Sequence, residues 1–293
     1  MRCLVRDPPA ACGNCRGYGA AVGDPPVPLI DVGGFDNVDS SATPEDYARW
    51  MAHQRVWGAD RAIGRLELDS TSRVLDLGCG TGIDLQQMAE LAGRCVGIDR
   101  SLAMVCASRE IVGVRASLAC GDGSALPFAM DSFDACWSRL VLLHTPRPAM
   151  VVAEVAEVAR VVRAGGRAVF VEPDHGTHIV NTPEIEVFER VVHHRRTTFR
   201  DPLVGRRLPG LVSAAGMEVE QVRATPIVHT SLATARASGG PFDVAVEAAV
   251  AADAVTADEG RRYLSSLEQL DAAGAFVFSA MALSVVAVVD PAA

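Results

Sequence analysis

The chain has 293 residues, a formal net charge of −9, 49% hydrophobic and 22% charged residues, and its 27 basic side chains are all arginine. That length accommodates one large domain with a full core that needs no disulfide or metal, and the apolar fraction excludes a disordered body. No apolar run approaches the ~20 residues of a membrane span, and the acidic balance speaks against a nucleic-acid binder built on phosphate contacts, so a cytoplasmic globular protein is expected.

Residues 1–34 read as a flexible leader, because Pro8-Pro9, Pro25-Pro26, Pro28 and several glycines cannot build a packed element. Within it, Cys12-Gly-Asn-Cys15 supplies two zinc ligands where zinc takes four, and no second knuckle follows; no metal site is expected. The folded domain is placed at 35–290. Thr43-Pro44-Glu45 is a helix start, and that helix carries Tyr47, Arg49, Trp50 and Trp57 to about Leu66. Strands at 73–77, 95–99, 117–120, 133–138 and 167–172 then alternate with helices, the clearest at 149–162, where Val151, Val155, Val158 and Val162 mark one face and Glu154, Glu157 and Arg160 the other. Such alternation implies crossover connections and a doubly wound, mainly parallel α/β sheet with helices on both faces. Downstream come helices at 183–199 and up to Gly216, a strand at 217–228, a helix at 244–270 and a last strand within 275–289, the two late strands forming an edge. Residues 176–215 are expected to form a helical lid.

The stretch Val74-Leu-Asp-Leu-Gly-Cys-Gly-Thr-Gly82 delivers a strand into a loop with glycine at alternate positions, and about twenty residues later a second strand ends in Asp99. Glycine suits a sharp turn and a ligand lying against bare backbone; an acid at the second strand end can accept both hydroxyls of a ribose. A dinucleotide-binding turn wants a third glycine where Ile83 stands, and Asp84 at the helix start would repel a diphosphate. A ligand with an adenosine but no phosphate fits better than a dehydrogenase cofactor.

These residues resemble the class I S-adenosylmethionine-dependent methyltransferases, in the small-molecule branch that includes the quinone-biosynthesis enzymes. Val96-Gly-Ile-Asp-Arg-Ser101, Gly121-Asp-Gly-Ser-Ala-Leu-Pro-Phe128, the run from Phe133 to His144, and Arg160-Val-Val-Arg-Ala-Gly-Gly166 before Val169-Phe-Val-Glu172 match further family motifs in order. The resemblance covers roughly residues 70–175. It implies a seven-stranded Rossmann-like sheet and S-adenosylmethionine as cofactor. Gly78, Gly80 and Gly82 would then line its methionine part, with Asp76 supporting the loop or reaching the amino group, and Asp99, followed by Arg100, would take the ribose. Asp122, with Gly123 and Ser124, would face the adenine. Arg139 and His144 would sit near the sulfonium, and Arg49 is a candidate for the carboxylate. Each has a plainer alternative: a strand-end acid, a turn aspartate, a surface arginine, a loop-anchoring histidine.

Methyl transfer mainly requires alignment and exclusion of water, with a base where the acceptor must lose a proton. Ligands bind at the carboxyl ends of parallel strands, which places Glu172, Asp174 and His175 on the acceptor side, His175 first as base with His144 beside it. His193-His-Arg-Arg196 and Gly205-Arg-Arg207 are read as solvated helix faces rather than an RNA patch. The expected partner is a small, hydrophobic methyl acceptor, with neither nucleic acid nor membrane, and the expected assembly is a monomer or homodimer. A cofactor-binding protein of the same fold with a non-methylating role is the alternative.

Overall fold

The computed structural model describes residues 62–145, 148–238 and 240–290. The expected leader, its Cys12–Cys15 pair and the first helix up to residue 61, Arg49 included, lie outside the described residues. The turn Gly64–Leu66 ends where that helix was expected to end, and Glu67 follows in left-handed backbone.

From there the alternation read in the sequence is present: β1 (Arg73–Leu77), α1 (Ile83–Met88), β2 (Arg94–Asp99), α2 (Leu102–Val112), β3 (Ser117–Cys120), β4 (Phe133–Arg139), α3 (Pro148–Val161) and β5 (Val162–Val180). Then follow α4 (Ile185–Thr197), α5 (Val204–Ala214), β6 (Met217–His229), α6 (Leu232–Ala237), α7 (Asp243–Ala251), α8 (Ala257–Ala272) and β7 (Phe278–Val289). The strands make one seven-stranded sheet in the order β3-β2-β1-β4-β5-β7-β6. β1 to β5 pair in parallel, and β7 runs antiparallel to β5 and β6.

The pleat sends alternate side chains to opposite faces. Val74 meets Leu85 and Met88 of α1 and Val105 of α2 on one face; Leu75 meets Val151, Val155 and Val158 of α3 and Leu208 and Val212 of α5 on the other. Both faces are covered, which is why these strands are apolar almost throughout. The doubly wound sheet expected from the sequence is the one observed.

Two late elements differ from expectation. The single helix expected over 244–270 is two, α7 and α8. Asp253 breaks the run in left-handed backbone, and Thr256 with Glu259 forms a complete capping box that starts α8 afresh. The residues 176–215, expected as one lid, are divided. Up to Val180 the chain is the far end of β5, paired with β7. α5 is a sheet-facing helix whose Val204, Leu208 and Val212 are fully buried. Only α4 joins a cap, in which Phe188 and Val191 pack with Val246 of α7, Tyr263 and Leu267 of α8, and Phe278 of β7. Gly205 permits the approach of α5 to β5, since a Cβ there would lie 2.8 Å from the Pro173 carbonyl oxygen.

Candidate functional site

The chain leaves β1 through Gly78, and the N–H groups of Gly78 and Cys79 both donate to the Ile98 carbonyl, at 2.8 and 3.0 Å, folding the loop across the end of β2. Gly78 has φ 69° and Gly82 φ 85°. A Cβ on Gly78 would overlap a Val141 methyl, and one on Gly82 the Ser108 hydroxyl, so both positions need glycine for space as well as for backbone angle. Asp99 holds the loop from below: Oδ2 accepts the Gly80 N–H at 2.9 Å and Oδ1 the Ser101 N–H at 2.8 Å. Each oxygen keeps a further lone pair. Burial pushes this carboxyl up, against the pull of those two donors.

Beside the loop lies a cavity of about 280 Å³, walled by Asp76, Gly78, Gly80, Asp84, Trp137 and Arg139 among others. Asp84, in the first turn of α1, accepts the Arg139 guanidinium through two contacts of 2.6 and 2.9 Å and the Trp137 indole N–H at 3.0 Å. This buried triad ties α1 to β4 at the loop. Asp76, 2% exposed, has an Oδ2 atom with no hydrogen-bond partner among the described residues. Burial, then the neighbouring Asp84 charge, push its carboxyl well above the usual range, while Arg139 pulls the other way.

At the end of β3, Asp122 Oδ1 accepts the Ser124 N–H and hydroxyl at 2.9 and 2.8 Å, the geometry of an aspartate turn. The charged side of α3 clamps this loop. Glu157 accepts the Leu126 N–H, and Arg160 donates to the Leu126 and Phe128 carbonyls. Glu154 is buried against Gly123 and accepts the Thr145 hydroxyl at 2.9 Å; its burial raises the carboxyl to about 7.

After β4, Leu140 sits in left-handed backbone (φ 61°) and the chain turns through Leu142–His144. Glu172, expected on the acceptor side, is fully buried and holds this turn: Oε1 accepts the Val141 and Leu142 N–H groups at 2.9 and 2.7 Å. Burial pushes its carboxyl up to about 8. Val141 faces Gly78, whereas Leu140, Leu143 and His144 face a second cleft of about 550 Å³. The turn is therefore a partition with one cavity on either side.

The second cleft is apolar apart from three histidines, Asp174, Arg195 and Ser238, whose hydroxyl donates to the Ala235 carbonyl. His175 stacks on Phe199 with ring centroids 4.1 Å apart and 16° between planes, and meets His178 edge to face at 5.3 Å. The Arg195 guanidinium lies 5.3 Å over the Phe199 ring. Burial lowers His144 to about 4 and His178 to about 3, and holds His175 well below its usual value. All three imidazoles are thus uncharged near neutrality, each with one donor and one acceptor nitrogen. Asp174 is taken up by Arg206, at 2.5 and 2.8 Å, and by the Gly176 N–H. Of the two basic runs, His193 is exposed, Arg195 turns into the cleft, and Arg206 and Arg207 pair with Asp174 and Asp201.

The sequence-derived residues therefore fall into three groups. Asp76, Gly78, Gly80 and Arg139 wall the first cavity, Gly82, Asp99, Arg100, Asp122, Gly123 and Ser124 stand on the loops beside it, and His144 and His175 belong to the second cleft. Sequence reasoning named His178 among the histidines after the fifth strand but found neither the contact of Asp84 with Trp137 nor Phe199. Trp137 and Arg139 share a strand face, and Asp84 falls on the buried side of α1 with Leu85 and Met88, which is the signal that was there to be read. Among the described residues no cluster of three or more metal-ligating side chains occurs, and no helix is long and apolar enough to cross a membrane.

A family model described as a methyltransferase domain matches residues 75–170, which span both cavity-forming strand ends and the partition. Over 263 residues the chain is 35% identical to an uncharacterized 37.1 kDa protein in transposon Tn4556 of Streptomyces fradiae, covering 85% of this chain and 72% of that protein. It is 33% identical over 159 residues to a demethylmenaquinone methyltransferase of Corynebacterium glutamicum, covering 54% of this chain and 62% of that relative's length. Among solved structures, the YcgJ protein of Bacillus subtilis superposes with a TM-score of 0.54 at 22% identity, over 80% of this chain and 98% of that one, a likeness of fold.

Proposed function

The chain belongs to the class I S-adenosylmethionine-dependent methyltransferases, and from that premise we propose that it transfers the methyl group of S-adenosylmethionine to a small, apolar metabolite of secondary-metabolite or quinone-like type. The observation that carries this reading is the unpartnered Asp76 Oδ2, buried in the wall of a cavity edged by bare glycine backbone. A buried carboxylate oxygen left without a donor costs about 1–3 kcal/mol or more, and a cofactor ammonium would remove that cost. The remaining residues fit the same group: the backbone of Gly78, Gly80 and Gly82 for its methionine part, the free lone pairs of Asp99 for ribose hydroxyls, and Asp122 with Gly123 and Ser124 for the base. When bound, the cofactor supplies an activated methyl on a sulfonium.

The chain's own part is alignment and dryness. Glu172 and the Asp84–Arg139 pair fix the turn Leu140–His144, which lies between the glycine loop proposed for the donor and the histidine cleft proposed for the acceptor. The apolar lining of the cleft excludes water and suits a hydrophobic acceptor. His175, with His144 beside it, is the residue proposed to touch the reacting group, as an uncharged imidazole that offers one donor and one acceptor nitrogen. A quinone-like acceptor agrees with the name of the Corynebacterium relative, of whose length this chain matches 62%. The proposed partner is a small molecule, not nucleic acid.

Titration calorimetry with S-adenosylmethionine and with its demethylated product tests the reading. Micromolar binding is expected, reduced at least tenfold in Asp99→Ala and partly kept in Asp99→Asn, which retains one acceptor oxygen. Absence of binding by a folded protein overturns it.

A further inference from the structure

The histidine cleft carries a statement about its occupant that rests on the reading just given. Both nitrogens of His175, a residue 6% exposed, and Nδ1 of His178 have no hydrogen-bond partner among the described residues. Buried polar atoms left in that state are rare, because a group stripped of water and given no partner destabilises the fold. They are not placed to bind a metal together. The imidazole of His175 is fixed rather than loose: Phe199 stacks on its face, and its own backbone N–H donates to the Pro202 carbonyl at 3.0 Å. Its nitrogen-bearing edge is therefore presented to the cleft in one orientation. That cleft is lined mainly by apolar side chains, among them Leu140, Phe199 and Phe278.

The charges decide what kind of polar group belongs there. A protonated amine has donors only and seeks a carboxylate. The one carboxylate in the lining, Asp174, already accepts two contacts from Arg206 and one from Gly176, and the Arg195 guanidinium over Phe199 adds a cation to the same wall. An uncharged hydroxyl has one donor and two acceptor sites, the complement of neutral imidazoles, each of which offers one nitrogen of either kind.

We propose that the acceptor is an uncharged apolar molecule bearing a hydroxyl, a phenol or enol rather than an amine, whose oxygen is held between His175 and His178. The two rings are neighbours in the cleft wall, edge to face with 5.3 Å between centroids. His175 is the specificity-determining member, because it is the more deeply buried and has both nitrogens open.

The test uses three probes of one shape, 1-naphthol, naphthalene and 1-(aminomethyl)naphthalene, titrated by calorimetry into the full chain with and without saturating S-adenosylhomocysteine. The expected order is naphthol first, with at least tenfold weaker binding of the other two. His175→Phe keeps a ring against Phe199 and removes the nitrogens. Its expected effect is to bring naphthol and naphthalene within about twofold of each other while the melting temperature stays level or rises, since an unsatisfied buried group is lost. His178→Phe should reduce the preference less. Equal or tighter binding of the amine, a naphthol preference that survives in His175→Phe, or no binding of any probe each overturns the proposal. Those failures leave S-adenosylhomocysteine binding intact, whereas failure of the methyltransferase reading removes it, so the two are told apart in the same titrations.

Discussion

The two cavities flanking the Leu140–His144 turn are built in opposite ways. The first is made of strand ends and the loops that leave them, and its acids, the Asp76 Oδ2 atom apart, are pinned: Asp99 to two backbone donors, Asp84 to Arg139 and Trp137. The second is assembled from residues as far apart as Leu140 and Met281, and its rings are held by stacking, with polar atoms left open. The difference separates two tasks. In the proposed reading, the unchanging cofactor is assigned to the ionically fixed wall and the variable partner to the cap packed through apolar surfaces, where one substitution alters shape without unsettling the sheet.

The sharpest way to break this contrast is to attack the ionic side. Arg139→Met leaves Asp84 buried and uncompensated, which is expected to lower stability by about 3–5 kcal/mol in urea unfolding. Adding Asp84→Asn removes the stranded charge and keeps an acceptor for Trp137, so the double variant should recover most of the loss. If the single variant costs under about 1 kcal/mol, the pair behaves as a surface ion pair and the first cavity is not ionically fixed.

Next in size is Asp76→Asn, which keeps shape and removes the charge. Its expected effect is a ten- to hundredfold weaker Kd for S-adenosylmethionine, about 1.4–2.7 kcal/mol, with the melting temperature unchanged or raised, because burial already works against the charged form. Equal affinity in calorimetry would remove Asp76 from the cofactor site.

The legibility of the two regions follows the same division. The strands at 73–77, 95–99, 117–120 and 133–138 could be read because apolar runs between glycine loops are local signals, and the sheet follows from their alternation. Asp76, Asp99 and Asp122 were legible because their positions at strand ends are set by that same local order. The cap was not, because which helix covers which end is decided by packing over long separations: α5 took the sheet face through Val204, Leu208 and Val212. The task of the charged side of α3 was not legible for a related reason, since the spacing of Glu154, Glu157 and Arg160 marks a separate face but not the 121–128 loop that it holds. The break between α7 and α8 was legible, as Thr256 and Glu259 have the spacing of a capping box.

The partition between the cavities can be probed by pH. Glu172 is raised to about 8 in the fold, above its ordinary value near 4.5, so the folded chain holds its proton longer than the unfolded one. Its contribution is complete below the unfolded pKa and is lost as pH rises through the folded one. The buried histidines act the other way but only below about 6.5, where the unfolded chain begins to protonate them. Glu154, raised to about 7, adds to the fall below pH 7 and the buried Asp76 carboxyl acts in the same direction, so stability should fall as pH rises from 7 to 8, with Glu172 contributing at most about 1.4 kcal/mol per unit. Glu172→Gln mimics the protonated form, retains an acceptor for Val141 and Leu142, and should flatten that slope in melts taken across the interval. An unchanged slope would mean that another group titrates there.

The smallest expected effect lies on the second cavity and separates it most cleanly from the first. The ring of Phe199 stacks on His175 and lies beside His144 and Arg195, all of them in the second cleft. Phe199→Leu keeps apolar volume and removes the stacked ring, which is expected to cost about 1 kcal/mol, or about 2–4 °C in melting temperature. With the His175 edge no longer fixed, the preference for naphthol over naphthalene should shrink, while the Kd for S-adenosylmethionine stays within about twofold. A matching loss of cofactor affinity would show that the turn transmits disorder from one cavity to the other. Glu172 and Asp84 hold that turn from the sheet side, through contacts that do not involve Phe199, and this is the physical reason to expect that it does not.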